Sequence, residues 1–221
     1  MTTTTPTTLR IAVIGAAGSV GSRVVAEALS RGHQVTAVVR DPARFPELDP
    51  AARARSGDAG NVEDVAGLGA DHDVVISATR PVTGGESALP TTTKALLAGL
   101  AGSGTRLIVV GGAATLTVPG TGGTTVVDDP RFLSPEYRPI ALACAEQLAV
   151  CRAETAVDWT YLSPPALLEP GERTGRYRLG TDELLVDAEG SSAISVEDLA
   201  VALVDEAEQA RHRRTRFTVA Y

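Results

Sequence analysis

Residues 10–30 read RIAVIGAAGSVGSRVVAEALS. Arg10–Ile14 is apolar and β-branched enough for a buried strand. Val20, Val24, Val25, Ala28 and Leu29 then recur at the spacing of one helix face. Between strand and helix lies GAAGSVG, Gly15–Gly21. Each glycine has a physical task in such a turn. Gly15 permits the tight bend, Gly18 lets backbone N–H groups approach a pyrophosphate, and Gly21 lets the helix pack against the strand. The anion then sits at the helix N-terminus. Glycines alone are weak evidence, and an ordinary strand-to-helix turn can carry them by chance. The strand–turn–helix context makes the motif specific. Gly15, Ala16, Ala17, Gly18, Ser19 and Val20 are read as the cradle of a dinucleotide.

Working outward, the same alternation repeats. Short apolar runs at Gln34–Val39, Asp73–Ala78, Arg106–Val110 and Asp158–Leu162, with a weaker one near Ala52–Ser56, alternate with helical patterns near 19–31, 61–69, 90–101 and 134–155. Apolar strands separated by helices predict a parallel sheet covered on both faces. The fold class is α/β, a Rossmann-type doubly wound sheet with a small C-terminal extension on the substrate side. Arg176–Leu179 and Glu183–Val186 read as a hairpin around Gly180. Ser195 with Asp198 reads as a helix cap, and Arg216–Ala220 as a last strand. Met1–Thr8 reads as a frayed polar tail, and 9–221 as one domain.

Composition narrows the class. The chain has 221 residues, 43% hydrophobic and 21% charged, with a net charge of −7. That is a soluble globular balance, and its acidity opposes nucleic-acid or membrane binding. The expectation is a cytoplasmic monomer or homodimer acting on a small-molecule acceptor. The two cysteines, Cys144 and Cys151, lie two helical turns apart, about 10 Å, too far for a disulfide. Three scattered histidines and no Cys-x-x-Cys predict no metal site.

The second strand ends in Val39-Arg40, where dinucleotide sites for NAD carry an acid on the ribose 2′-OH. A guanidinium there suits a 2′-phosphate, so NADP(H) is preferred over NAD(H). Asp41, before Pro42, reads as a cap for a short helix. Asp58, in Gly57-Asp58-Ala59, reads either as an acceptor for the adenine amino group or as a turn residue. Ser77, Ala78 and Thr79 end the fourth strand beside the ribose and pyrophosphate. The Gly- and Thr-rich stretch 111–133 is too long for a plain connector and reads as a substrate-side loop.

GAAGSVG with VVRDP, GDAGN and VISA resembles the atypical short-chain dehydrogenase/reductases, in their NAD(P)H-binding branch. LSPPALLEPGERTGRYRLG, ISVEDLAVALVDEAE and RFTVAY resemble the NADH-flavin reductase-like proteins, which include the flavin/biliverdin-IXβ reductases. The resemblance spans nearly all of 9–221. It implies hydride delivery to a flavin, as substrate, or to a similar flat acceptor. It places that acceptor over the nicotinamide, between the 111–133 loop and Pro164-Pro165, with Gly111, Gly112 and Pro164 as cofactor contacts, Ala113 and Pro165 as acceptor contacts, and 163–190 completing the substrate side. Mammalian relatives carry Thr-Ser where this chain has Gly112-Ala113. No serine hydroxyl stands there for tetrapyrrole reduction, which argues against biliverdin.

The chemistry of the remaining residues points the same way. Short-chain carbonyl reductases pair Tyr with Lys four residues on. None of Tyr137, Tyr161, Tyr177 and Tyr221 has that partner, and Lys94 is the only lysine. No Gly-x-Ser-x-Gly elbow appears for a hydrolase. Flavin reduction needs no such pair, because water can supply the proton. Tyr137 is the candidate catalytic or edge residue, and Arg173 a candidate for an acidic acceptor tail. A non-catalytic NADP(H)-binding redox sensor, and a tailoring reductase or isomerase, are the competing readings.

Overall fold

Strand β1 (Arg10–Ile14) is the centre of the sheet, and its side chains divide the core in two. Ile11 and Val13 face one apolar cluster, Ala12 and Ile14 the other. This is the period-two alternation of a strand buried on both faces. The computed structural model describes residues 8–221; the tail read over Met1–Thr8 lies, apart from Thr8, outside the described residues.

The remaining elements follow in chain order: α1 (Ser19–Ser30), β2 (Gln34–Val39), β3 (Arg53–Ser56), α2 (Val62–Asp71), β4 (Val74–Ser77), α3 (Ala88–Leu100), β5 (Arg106–Val110), α4 (Arg138–Ala153), β6 (Trp159–Ser163), β7 (Leu167–Glu169), β8 (Arg178–Gly180), β9 (Ala193–Ser195), α5 (Val196–Gln209) and β10 (Thr215–Ala220). The main sheet runs β3-β2-β1-β4-β5-β6-β10-β8, and β7 pairs with β9 apart from it. Every pairing is parallel except β8 with β10. The strand order reverses between β1 and β4, so the fold is the Rossmann-like doubly wound sheet that the alternation predicts. Helices α1 and α5 cover one face, and α2, α3 and α4 the other.

The caps are local. Asn61 accepts from the N–H groups of Glu63 and Asp64 to start α2. Ser195 Oγ accepts from Asp198 N–H to start α5. Asp198 does not reach back to complete a capping box. Its carboxylate, fully buried, binds Thr174, the Gly175 N–H and the Tyr221 hydroxyl.

Two regions depart from expectation. The hairpin over 176–186 does not form. Arg178–Gly180 pairs antiparallel with β10 instead, where the sheet has an open edge, and Leu184 turns inward. Leu184 joins Leu116, Val118 and Val126 in a small separate core, so the 111–133 stretch is packed rather than loose. Arg216, buried on β10, fastens that stretch by bonding Thr115 Oγ1 and pairing with Asp182.

At the opposite end of the sheet a buried ion cluster ties β5 to α5. Arg106 pairs with Glu206, donates to the Glu206 carbonyl at 2.6 Å and reaches Thr160 Oγ1 at 2.6 Å. Glu206 also accepts from His212 N–H at 2.9 Å. Burial pushes the Glu206 carboxyl up, but the Arg106 and His212 bonds outweigh it and hold it below the usual carboxylate range. A carboxylate depressed in this way adds stability above its unfolded pKa and loses it as pH falls through the folded value. Glu206→Ala leaves a buried guanidinium without its partner, at a cost of about 3–5 kcal/mol. Urea unfolding at pH 7 should show that loss, shrinking below about pH 4. A loss under about 1 kcal/mol at pH 7 would remove the cluster from the account of stability.

Candidate functional site

The turn after β1 is held open from beneath. Gly15 and Ala16 N–H both donate to Val38 O on β2, at 3.0 and 3.2 Å. Gly15 has φ +85°, a left-handed conformation that disfavours any side chain. A Cβ there would come within 2.6 Å of Ala78 O at the end of β4. At Gly21 a Cβ would stand 2.1 Å from Gly15 O, so α1 packs against the turn itself rather than against the strand. Gly18 is different: its φ is −83°, and a Cβ would approach only Gly15 O, at 3.1 Å. A side chain at Gly18 would press on that one carbonyl, a tighter contact than a Cβ ordinarily makes, and Gly18 otherwise faces the cleft.

Helix α1 begins at Gly18 with no side-chain cap and no acidic residue in its first turn. Helices α2 and α5 both carry caps and two acids each there. Helices α3 and α4 also lack a side-chain cap and a first-turn acid; what sets α1 apart is that its uncapped start follows the glycine turn and opens on a cleft. This cleft, of about 650 Å³, runs along the C-terminal ends of β1, β2 and β4. That is within the size range of cofactor sites.

Most of the sequence-predicted cradle lines this cleft: Gly15, Ala17, Gly18, Ser19, Val20, Arg40, Asp58, Ala59, Ala78 and Thr79. Ala16 is buried beneath the turn. Ser77 points inward, 3.2 Å from Thr79 Oγ1. Asp58 lines the cleft, and one of its oxygens accepts from Gly60 N–H at 2.8 Å, the bond of a turn residue. Asp41 caps the short helical turn Pro42–Glu47, accepting from Ala43 N–H at 2.9 Å.

The residues expected on the nicotinamide and substrate side, Gly111, Gly112 and Pro164 for the cofactor and Ala113, Pro165 and Arg173 for the acceptor, do not line this cleft. Gly111 lies against the Tyr161 ring, where a Cβ would overlap at 1.9 Å, and Gly112 N–H donates to the Tyr161 hydroxyl at 3.2 Å. Ala113 packs onto the small core of the 111–133 stretch. Pro164 and Pro165 are buried at the end of β6. Tyr137 is half-exposed at the start of α4 and away from the cleft. Arg173 sits over the outer side of α1, bidentate to the buried Glu27 at 2.7 and 2.8 Å, which holds that carboxyl below its usual range. It faces a separate shallow depression with Arg23 and Glu197.

Sequence reading missed several lining residues. Arg44 follows Arg40 by four positions in RDPAR. It donates to Ala17 O at 3.0 Å while bonded to Glu47 at 2.7 Å, bracing the turn. Arg80, Pro81 and Val82 continue from β4, and Leu89 and Thr92 come from α3. Leu168, Pro170 and Val196 close the side toward α5, so the 163–190 stretch does contribute. Cys144 and Cys151 are free and buried, and burial pushes their thiols up to about 11 and about 12, too high for a thiolate at neutral pH. Among the described residues no group of three metal-ligating side chains comes together, and no helix is long and apolar enough to cross a membrane.

Comparisons with known proteins bear on this geometry. A family model described as NAD(P)H-binding matches residues 15–210. The uncharacterized protein YwnB of Bacillus subtilis is 38% identical over 213 residues, 96% of this chain and 98% of its own. A candidate exported protein of Burkholderia pseudomallei is 42% identical with a TM-score of 0.86, over 96% of this chain and 100% of that one. A candidate NADH-flavin reductase of Streptococcus pneumoniae is 33% identical with a TM-score of 0.83, over 96% and 99%. With a Rossmann-like sheet, an uncapped glycine turn and full-length likeness to these proteins, the chain belongs to the NAD(P)H-binding family.

Proposed function

We propose that this protein is an NADPH-preferring reductase that delivers hydride to a flavin, a quinone or a similar flat conjugated acceptor. The observation that carries this reading is the uncapped N-terminus of α1 opening on a cleft whose β2 end holds an unpaired arginine, in a chain with no Tyr-Lys pair. Gly15 and Gly18 with the first N–H groups of α1 take the pyrophosphate. Arg40, exposed at the end of β2 and bonded to no carboxylate among the described residues, takes the 2′-phosphate. Asp58 stands on the adenine side, and Ala78 and Thr79 border the ribose. Gly111, Gly112, Ala113, Pro164 and Pro165 follow β5 and β6, beyond β4 on the side away from Arg40, and are assigned to the nicotinamide side although they do not line the cleft itself. The likeness to a candidate NADH-flavin reductase supports the acceptor class.

When bound, the reduced nicotinamide supplies the hydride. The chain's part is to hold two rings in a near-attack arrangement and keep them there. No acid is required of it, because solvent protonates a reduced flavin or quinone.

The test is NADPH oxidation followed at 340 nm with FMN, riboflavin and a simple quinone, with NADH in parallel. Turnover well above the free-acceptor background, faster at equal concentration with NADPH, is the expected result. NADPH binding with no turnover on any acceptor would overturn the reductase in favour of a sensor. Arg40→Glu should cut the NADPH:NADH preference by about tenfold to a hundredfold. An unchanged preference would remove Arg40 from the site. Gly18→Val, with its fold checked by circular dichroism because its Cβ would meet Gly15 O at 3.1 Å, should lose NADP+ binding in calorimetric titration. Wild-type affinity in that variant would refute the cradle.

A further inference from the structure

Three arginines line the cleft, and their surroundings differ. Arg44 is already bonded to Glu47 and to Ala17 O. Arg40 flanks the adenosine end, at the tip of β2. Arg80 follows β4, is exposed on the cleft wall, and makes no hydrogen bond or ion pair among the described residues. Strands β2 and β4 lie on opposite sides of β1, so their tips are about 10 Å apart across the sheet, with Arg40 directly after one and Arg80 three residues past the other.

Several neighbours fix which half of the cleft Arg80 occupies. Strand β4, which Arg80 follows, lies between β1 and β5, on the side of β1 away from β2. Cys144 packs with Leu89, which also lines the cleft, and lies 2.9 Å from where a Gly112 Cβ would be. Arg80 is thus on the side of β5 and α4, away from Arg40. Beside it on the wall stand Pro81, Val82 and Leu89, a set of apolar surfaces. A guanidinium set among apolar walls fits a flat ring that carries one anionic group.

The dinucleotide's charges are already met elsewhere. The pyrophosphate has the turn and α1, and the 2′-phosphate has Arg40. Resting on the reductase reading above, we infer that Arg80 is the anion subsite for the acceptor. The acceptor is then a conjugated ring with an anionic tail, a phosphate or a carboxylate, rather than a neutral ring. Arg173, bound to Glu27 on the outer side of α1, is not placed for that task.

Two acceptor pairs test this, each pair sharing a ring: FMN with riboflavin, and a naphthoquinone with and without a ring carboxylate. Wild-type protein should favour the anionic member of at least one pair by about tenfold or more in kcat/KM, the size of one charge-assisted contact. Arg80→Gln should bring that ratio to about one, and Arg80→Lys should restore part of it. The NADP+ affinity of both variants, measured by calorimetry, should stay within about twofold of wild type, a difference small against one such contact. Ratios in both pairs unmoved by Arg80→Gln would overturn the subsite. So would an equal fall in NADP+ affinity, which would assign Arg80 to the cofactor phosphates. Should no acceptor be turned over, the reductase reading fails by itself. The subsite is then read from quenching of flavin fluorescence on titrating FMN and riboflavin with NADP+-loaded protein. An Arg80-dependent preference for FMN upholds it there; equal binding, or none, overturns it.

Discussion

The contact between Gly21 and the carbonyl of Gly15 is the constraint on which the site depends. With hydrogen alone at position 21, α1 can close to within van der Waals distance of the turn that launches it. That approach aims the first turn of α1 at the C-terminal edge of the sheet, and the two N–H bonds to Val38 O lock the turn onto β2. The unsatisfied N–H groups at the start of α1 then face a cleft rather than a neighbouring element. A side chain at Gly15 would collide with Ala78 O and push β4 away from β1, at the place where the strand order reverses. Backbone geometry, not side-chain chemistry, makes the proposed anion site.

Charge is then distributed over that geometry with little redundancy. The chain is acidic overall, at −7, yet its cleft carries three arginines. Arg44 is held by Glu47 and stiffens the turn, while Arg40 and Arg80 pair with no carboxylate among the described residues and are the two proposed for ligands. Other arginines are spent in structure: Arg106 inside the sheet's far end, Arg216 under the 111–133 stretch, Arg31 and Arg173 around Glu27. His33 and His72, at the far ends of the strands, are buried and hydrogen-bonded to Glu208 and Thr36. They belong to packing, as their position in short connections predicts.

The sheet and the cradle were legible because their signals are local. Residues 10–30 contain a strand, a turn and a helix within one stretch, and every predicted run from Gln34 to Leu162 appears as a parallel strand. What depends on distant partners was not legible. Arg178–Gly180 found its partner in β10, forty residues on, instead of in its sequence neighbour. Leu116, Val118 and Val126 are scattered among glycines and threonines with no period, so their small core with Leu184 has no sequence signature. Arg173 looked free in GERTGR because Glu27, its partner, is 146 positions away. Arg80 was passed over for the opposite reason: only the fold shows that no carboxylate lies near it.

The central claim is that one cleft, made by the β1–α1 turn, holds NADP(H) with its adenosine end at Arg40. A crystal structure of the protein with NADP+ tests it most directly. The account predicts pyrophosphate oxygens on the N–H groups at Gly18–Val20, the 2′-phosphate on the Arg40 guanidinium, and the nicotinamide toward β4 and β5. A dinucleotide bound elsewhere, or bound here with Arg40 turned away from the 2′-phosphate, would contradict it.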